Sequence, residues 1–479
     1  MVMPYDPPVE VPVRPAMPAP AVDARVPRPV PSSSRSEPRL VTDTYETLRL
    51  GTLDEMQARG IRGIESPEAV RALIHDVVSS YQAAARNRVG GDLLADPSAI
   101  EARLERSLLE YGPLTPLVTD IDGRPLATEI FIKGAEISYF DATGRLRQVD
   151  EPCSEAELRH QVTKMLAEEG RAIDETNPLV VSRVLNGRGR ITASIPPVAE
   201  SLDCVLRRYS TSSADIYQLL AWDALSWEAA NFVTLLAQSG QASIVFSGQP
   251  DSGKTTAMNA VLKMVPTTTV IRASEDVREV RIDHLVGGQW LTVSGGVHGE
   301  GGIDLARLVS TSLQSGSSLL VVGETRGAEA YWLTRATNAG CQAMTTVHSN
   351  SASMALEALV DTAIMAAPNV NEPTVRRLFA RTIDVVMHCA KQHLHQVADG
   401  RRPLKQVMEI AAVPPGQHVE GFGLEPIFKR TRFGAPLTYT GVALPDDLRE
   451  RLEWTLPDGV SVLDVVNGDY SLLSRRGGA

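Results

Sequence analysis

A short apolar run that breaks into a glycine-bearing turn and resumes at helical spacing is the clearest pattern in this chain. Ser243-Ile244-Val245-Phe246 reads as a buried strand, and Thr256 to Val265 as a helix with Met258, Val261, Leu262 and Val265 on one side. Leu319-Leu320-Val321-Val322, Val270-Ile271-Arg272-Ala273 and Ala343-Met344-Thr345-Thr346-Val347 read as further strands. From about residue 223 such strands alternate with helices, which predicts an α/β domain whose parallel sheet is covered on both faces.

Upstream the periodicity changes. Glu129-Ile130-Phe131-Ile132 and Ile137-Ser138-Tyr139-Phe140 alternate as two strands, joined at Lys133-Gly134-Ala135-Glu136 into a hairpin. Ser154 to Glu169 is an amphipathic helix, and Arg190–Ile195 and Cys204–Tyr209 are further strands. Leu73, Val77, Val78 and Tyr81 recur at helical spacing behind Ser66 and Pro67, a cap and first-turn pair. A second helix starts at Pro97 and carries Leu104, Leu108 and Leu109.

These patterns divide the chain into a Pro-rich disordered tail (1–40), a small helical bundle (41–112), an α+β domain (113–210), a linker (211–222), the α/β domain (223–400) and a C-terminal appendage of short strands and turns (401–479). The tail is rich in Pro, Ala, Val and Arg and cannot build a core.

Composition narrows the classes. The chain has 479 residues, enough for two or three domains with real cores. Its net charge of −11 argues against a nucleic-acid grip spread over the surface. No apolar run reaches the length of a membrane span, and Met1–Asp6 has neither the basic region nor the apolar core of a secretory signal. Cys153, Cys204, Cys341 and Cys389 lie far apart and read as buried thiols of a reducing compartment. His393-Leu394-His395 lacks a third ligand nearby and reads as an exposed loop.

The turn between first strand and helix is Gly248-Gln249-Pro250-Asp251-Ser252-Gly253-Lys254-Thr255, with Thr256 following. It fits G-x-x-x-x-G-K-[ST], a loop whose backbone N–H groups and helix terminus cradle phosphates. Lys254 would reach the β- and γ-phosphates of ATP, and the Thr255 hydroxyl would hold Mg²⁺. A chance glycine turn would need the strand, the Lys-Thr-Thr and the helix all to coincide.

Other strand ends supply candidate chemistry. Glu324 follows the 319–322 strand and would support Mg²⁺, directly or through water, or polarise the attacking water. Glu275 is the candidate general base, with Asp276 a structural partner. His348 would sense the γ-phosphate by a hydrogen bond, or is a structural histidine. Arg183, Arg190, Arg207 and Arg208 would supply positive charge, each to a neighbouring subunit's nucleotide, or are exposed strand residues.

With these boxes in order, the chain resembles the type II/type IV secretion ATPase superfamily over roughly residues 60–470, most closely its tight-adherence (Tad) pilus branch, the CpaF-like ATPases. Tyr111-Gly112-Pro113-Leu114-Thr115-Pro116-Leu117 and Thr128–Gly134 are similar to that family's G-P-L-x-P-L and T-E-I-M-V-N-G runs. Arg207-Arg208-Tyr209 is similar to R-[RK]-F, Glu275-Asp276 with Glu279 to E-D-x-x-E, Gly323–Gly327 to G-E-x-R-G, and Thr345–Asn350 to the histidine box. The resemblance implies a RecA-like P-loop NTPase domain behind a PAS-like α+β N-terminal domain. It also implies a hexameric ring at the cytoplasmic face of the inner membrane that hydrolyses ATP with Mg²⁺. The implied partner is an inner-membrane platform protein of a pilus or secretion system, with no nucleic acid.

Departures qualify it. The family's arginine-rich L-V-R-N-A-L-R-M-R-P-D appears here as Leu308–Ser318 without those arginines, and its arginine-bearing strand as Trp290–Gly296. Gln249-Pro250-Asp251 stands where small residues are usual, and Asp251 would weaken phosphate binding unless it points away. Two rivals to the motor follow: a nucleotide-gated scaffold that hydrolyses little, favoured by the lost arginines, and a nucleic-acid translocase, disfavoured by the charge.

Overall fold

The structure, a computed structural model, describes residues 37–61, 66–87, 93–121, 124–141, 145–208, 214–276, 278–293, 303–366, 371–393, 403–416 and 421–473. The expected tail lies outside them except for its last residues, which begin a helix.

Three helices open the described chain: α1 (Glu37–Arg59), α2 (Pro67–Arg86) and α3 (Pro97–Leu109). Val70, Leu73, Ile74, Val78, Leu104 and Leu108 bury their common face, with Tyr45 and Leu48. The bundle is tied to the next domain by Tyr45, whose hydroxyl donates to buried Glu157 at 2.6 Å.

The second domain is one six-stranded antiparallel sheet built from β1 (Ala127–Lys133), β2 (Glu136–Asp141), β3 (Leu146–Gln148), β4 (Leu179–Val184), β5 (Gly189–Ser194) and β6 (Asp203–Arg208), in the order β3-β2-β1-β6-β5-β4. The hairpin forms where the alternation places it, with Lys133 opposite Glu136. Helix α4 (Glu155–Ala167), capped by the Ser154 hydroxyl, packs Leu158, Val162 and Met165 on one face of this sheet with Ile130, Ile132 and Leu206. Edge strand β4 carries Arg183 and is only weakly marked in the sequence. Its first residue, Leu179, is exposed, so its apolar run lacks the signature of a buried strand.

The third domain continues with α5 (Trp227–Ser239), β7 (Ile244–Gly248), α6 (Lys254–Leu262), β8 (Ile271–Glu275), β9 (Gln289–Thr292), α7 (Leu305–Gln314), β10 (Leu319–Val322), α8 (Glu329–Asn338), β11 (Gln342–His348), α9 (Ala352–Ala366), α10 (Glu372–Thr382), β12 (Val385–Lys391), β13 (Lys405–Ala412), β14 (Glu425–Lys429), β15 (Thr438–Tyr439), α11 (Asp446–Glu453) and α12 (Val462–Asn467). Its nine strands run β9-β8-β10-β11-β7-β12-β13-β14-β15. The first six are mutually parallel, and β13 to β15 add antiparallel strands.

Alternation along β7 explains its wholly buried run. Ile244 and Phe246 pack with Met258 and Val261 of α6 on one face; Val245 packs with Leu356 and Phe379 on the other. Each such side chain contributes about 1.5–3 kcal/mol on burial.

Two features add detail to the expected division. The linker contains a helix, Ile216–Ala221, started by a capping box between Asp215 and Gln218; Ser210 to Ser213 lie outside the described residues. In the C-terminal segment, β13 pairs with β12 and extends the central sheet. Cys204, Cys341 and Cys389 are buried, Cys153 only half so, and all four are free thiols. His393 is exposed, and residues 394–400 lie outside the described ones. Among the described residues no helix is long and apolar enough to cross a membrane.

Candidate active site

Parallel register brings the candidate residues to one edge. β7, β11, β10 and β8 are neighbours that run the same way, so Gly248, His348, Glu324 and Glu275 all sit at or just beyond C-terminal strand ends. His348 lies directly opposite Gly248 in the ladder. Ligands of open α/β sheets bind at this edge.

The loop is shaped for a close approach. Gly248 adopts φ 147°, and a Cβ there would fall 2.1 Å from the Cys389 carbonyl oxygen. Gly253 adopts φ 96° at the start of α6. Ser252 is buried, and its hydroxyl has no hydrogen-bond partner. The Thr255 side chain makes no hydrogen bond among the described residues and stands half-buried beside exposed Thr256. An orphaned hydroxyl in a left-handed glycine loop at a helix start is a fit for phosphate oxygens.

Lys254 is buried, and Nζ donates to the Gln249 carbonyl at 2.9 Å and to His348 Nδ1 at 3.3 Å. Burial lowers its pKa, and Glu324 opposes that shift. His348 Nε2 lies 2.7 Å from Glu324 Oε1. An ammonium only donates, so Nδ1 accepts and Nε2–H donates to the carboxylate. Lys254, His348 and Glu324 thus form one chain of hydrogen bonds with a single tautomer.

Glu275 is differently placed. Its carboxylate accepts from the backbone of Glu279 and Val280 and, at 2.9 Å, from the Trp290 indole. Burial pushes its pKa up to about 7 against these donors. A Cβ on Gly323 would fall 2.5 Å from Glu275 Oε1, so the acid also fills the space beneath the Glu324 strand end. Asp276 pairs with Arg326, which reaches toward Glu324 at 3.9 Å.

The folded state holds the Glu275 proton more tightly than the unfolded chain does, so its contribution to stability is full below about pH 4.5 and is lost as pH rises through about 7. The size is on the order of 3 kcal/mol. Buried His388, held neutral by burial at a pKa of about 4 and bonded to Ser247, acts in the opposite direction over part of this window. The difference between wild type and Glu275→Gln isolates the acid. Denaturant unfolding at pH 5 and pH 7.5 is expected to show a smaller loss of stability in the variant.

Asp251 points away from the loop's interior. It occupies the left-handed region at φ 61°, which Asp tolerates, and its carboxylate pairs with Lys391 at 2.5 Å and with Lys405. Burial raises its pKa, but the charges of Lys405 and Lys391 outweigh this and hold it below the usual carboxylate value. The two lysines face each other across β12 and β13, so Asp251 also relieves their repulsion. Neither lysine was foreseen from sequence. Lys391→Ala with Lys405→Ala should weaken ATP binding about tenfold by unmasking the acid. Adding Asp251→Gly should restore it; nucleotide titration of the three proteins checks this.

The arginines separate by strand alternation. Arg207 lies opposite Arg190, and Arg190 opposite Arg183, so these three form one row on one face. Arg207 is near enough to Lys254 for its charge to oppose the lysine's, and its own guanidinium lies 3.9 Å from Glu129. Arg208 does not join the row. It points into the second domain, is buried and pairs with Asp120. Tyr209 and Ser294–Gly296 lie outside the described residues.

Among the described residues no group of three or more His, Cys, Asp or Glu could hold a metal by itself. A Mg²⁺ ion here would take the Thr255 hydroxyl, with Glu324 supporting it through water and phosphate oxygens completing its shell.

Comparison with known proteins gives the family. The type II/IV secretion system protein model matches residues 126–413, more than half of the chain. An uncharacterized protein of Methanocaldococcus jannaschii is 28% identical over 249 residues, covering 51% of this chain and 44% of that protein. The type IV secretion system protein PtlH of Bordetella pertussis is 32% identical over 171 residues, covering 35% and 49%. The chain thus spans less than half the length of each of these two relatives. The pilus retraction motor PilT, solved with bound ADP, aligns at 17% identity and TM-score 0.43 over 69% of this chain and 83% of its own. The matched stretch holds the second domain's sheet, the phosphate loop and the strand ends with Glu275, Glu324 and His348, and the chain belongs to the type II/IV secretion system protein family.

Proposed function

We propose that this chain is an ATP-hydrolysing motor, working as a hexameric ring, that powers a Tad-type pilus or related secretion through an inner-membrane platform protein. The observation that carries the reading is the hydrogen-bonded chain from Lys254 through His348 to Glu324 at the mouth of the phosphate loop. Such a chain joins the group that would bind the γ-phosphate to the group that would take a proton.

In this mechanism loop amides, Ser252 and Lys254 hold the β- and γ-phosphates, and Arg207 and Arg190 cover them from the second domain. Mg²⁺, when bound, would neutralise charge on the phosphate oxygens. Glu324 accepts the proton of a water whose oxygen attacks the γ-phosphorus as the bond to the β-phosphate oxygen breaks. The base role expected of Glu275 passes to Glu324, because Glu275 already accepts from backbone and indole. Glu275 then supports the strand ends, and Arg208 is structural. Turning the Lys254 ammonium from His348 Nδ1 to a γ-phosphate oxygen would release His348, linking γ-phosphate occupancy to Glu324. Domain movement follows because Arg207 belongs to one domain and Lys254 to the other. The proposed location is the cytoplasmic face of the inner membrane.

One observation favours the scaffold reading: Glu275, an acid of the motif, is fully engaged within the chain. The motor reading is tested in cells whose only copy carries Glu324→Gln. Loss of surface filaments or secretion at normal protein level supports it; undiminished filaments and secretion contradict it.

A further inference from the structure

The arginine row does not end at the phosphate loop. Its far member, Arg183, opens onto a cavity of about 380 Å³ between the second and third domains. Arg183 and Arg188 line it from one side, and Arg278, Arg281 and Trp290 from the other; Glu169 is the single carboxylate in its wall. No residue of the 248–256 loop lines it, nor does Glu324 or His348.

The charges are poorly compensated. The Arg183 and Arg281 side chains have no hydrogen bond or ion pair among the described residues. Arg278 pairs with Asp283 and stacks 4.2 Å from the centre of the Trp290 ring, yet its buried Nε has no partner. Arg188 reaches Asp120 at 3.4 Å. Arg183 and Arg281, with no acid of their own among the described residues, share a cleft with Arg278 and Arg188, each of which has one, and an anion there would lower the repulsion among the four. The planar fork of arginine matches the geometry of phosphate oxygens.

We propose that this cavity is a second anion site that binds a phosphate-bearing small molecule and bridges the two domains. Two sources share that chemistry: free orthophosphate and a mononucleotide. Occupancy would draw Arg183 and Arg281 onto one ligand and fix the second domain over the third. Trp290 forms part of the wall and also donates to Glu275, so the site adjoins the acid beneath the Glu324 strand end. The proposal stands whether or not the chain hydrolyses ATP.

The test uses the full chain carrying Lys254→Ala, which disables the phosphate loop and leaves the cavity intact. Calorimetric titration with orthophosphate, and separately with AMP, is compared with the same chain also carrying Arg183→Ala and Arg281→Ala. Saturable binding of either ligand that weakens at least tenfold in the arginine-deficient chain supports the site. A preference for orthophosphate identifies free phosphate as the source, and a preference for AMP a nucleotide. If the alanine pair does not fold, Arg183→Lys with Arg281→Lys replaces it, and a threefold or larger loss carries the same meaning. Absence of saturable binding, or binding indifferent to both arginines, overturns the proposal. Neither result bears on hydrolysis at the loop, so its failure is separable from failure of the motor reading.

Discussion

Glu324→Gln is expected to reduce ATP hydrolysis by about 10²- to 10³-fold while leaving ATP affinity nearly unchanged. The amide carbonyl can still accept from His348 Nε2–H, so the Lys254–His348 arrangement persists. What the amide cannot do is take a proton from water at neutral pH. The substitution is isosteric and falls on a half-buried, not a core, position, so folding should be preserved. Stopped-flow phosphate release and titration with a fluorescent nucleotide measure the two effects separately. A joint loss of binding and turnover would place Glu324 in nucleotide binding instead.

Lys254→Ala is expected to lose ATP binding by about 10²-fold or more, with hydrolysis lost as a consequence. Each charge-assisted hydrogen bond to phosphate contributes roughly 1.5–3 kcal/mol. The buried lysine is held by one carbonyl and one imidazole, and its charge is already disfavoured by burial. Its net contribution to the empty fold is therefore small, and the variant's thermal midpoint should shift by only a few degrees. Lys254→Arg should not rescue binding, because the longer planar group does not fit the space that the lysine shares with Gln249 and His348. Calorimetric titration with ATP in the presence and absence of Mg²⁺ checks the affinity.

Local signals carried most of what the sequence revealed. Strand β7, the phosphate loop and α6 form from one contiguous stretch whose apolar run, glycines and helical spacing agree. Glu324 and His348 follow apolar runs that can only be buried strands, so their convergence at one sheet edge was readable. Pairings across long separations were not. Asp251 looked like a charge aimed at the phosphates; its lysines lie 140 and 154 residues further on, and nothing local points to them. The same holds for β13, whose place in the sheet depends on pairing with β12 and not on its own pattern.

For Arg207 and Arg208 the deciding signal is their adjacency on one strand. Adjacent strand residues face opposite sides, so only one of the two could serve the nucleotide. Cross-strand register then assigns Arg207 to the arginine row and Arg208 to the interior with Asp120. Trp290 opens the stretch that carries no arginine where the resembled family has one. Its function as hydrogen-bond donor to Glu275 and stacking partner of Arg278 appears only when β9 is placed beside β8.

Hydrolysis of ATP at this site is read from phosphate release under saturating Mg²⁺ and ATP. Multiple turnovers are expected of the wild-type chain, with a rate at least 10²-fold lower in the Glu324→Gln chain measured beside it. A wild-type chain that binds ATP yet releases phosphate no faster than the variant would show that this site is not a hydrolase.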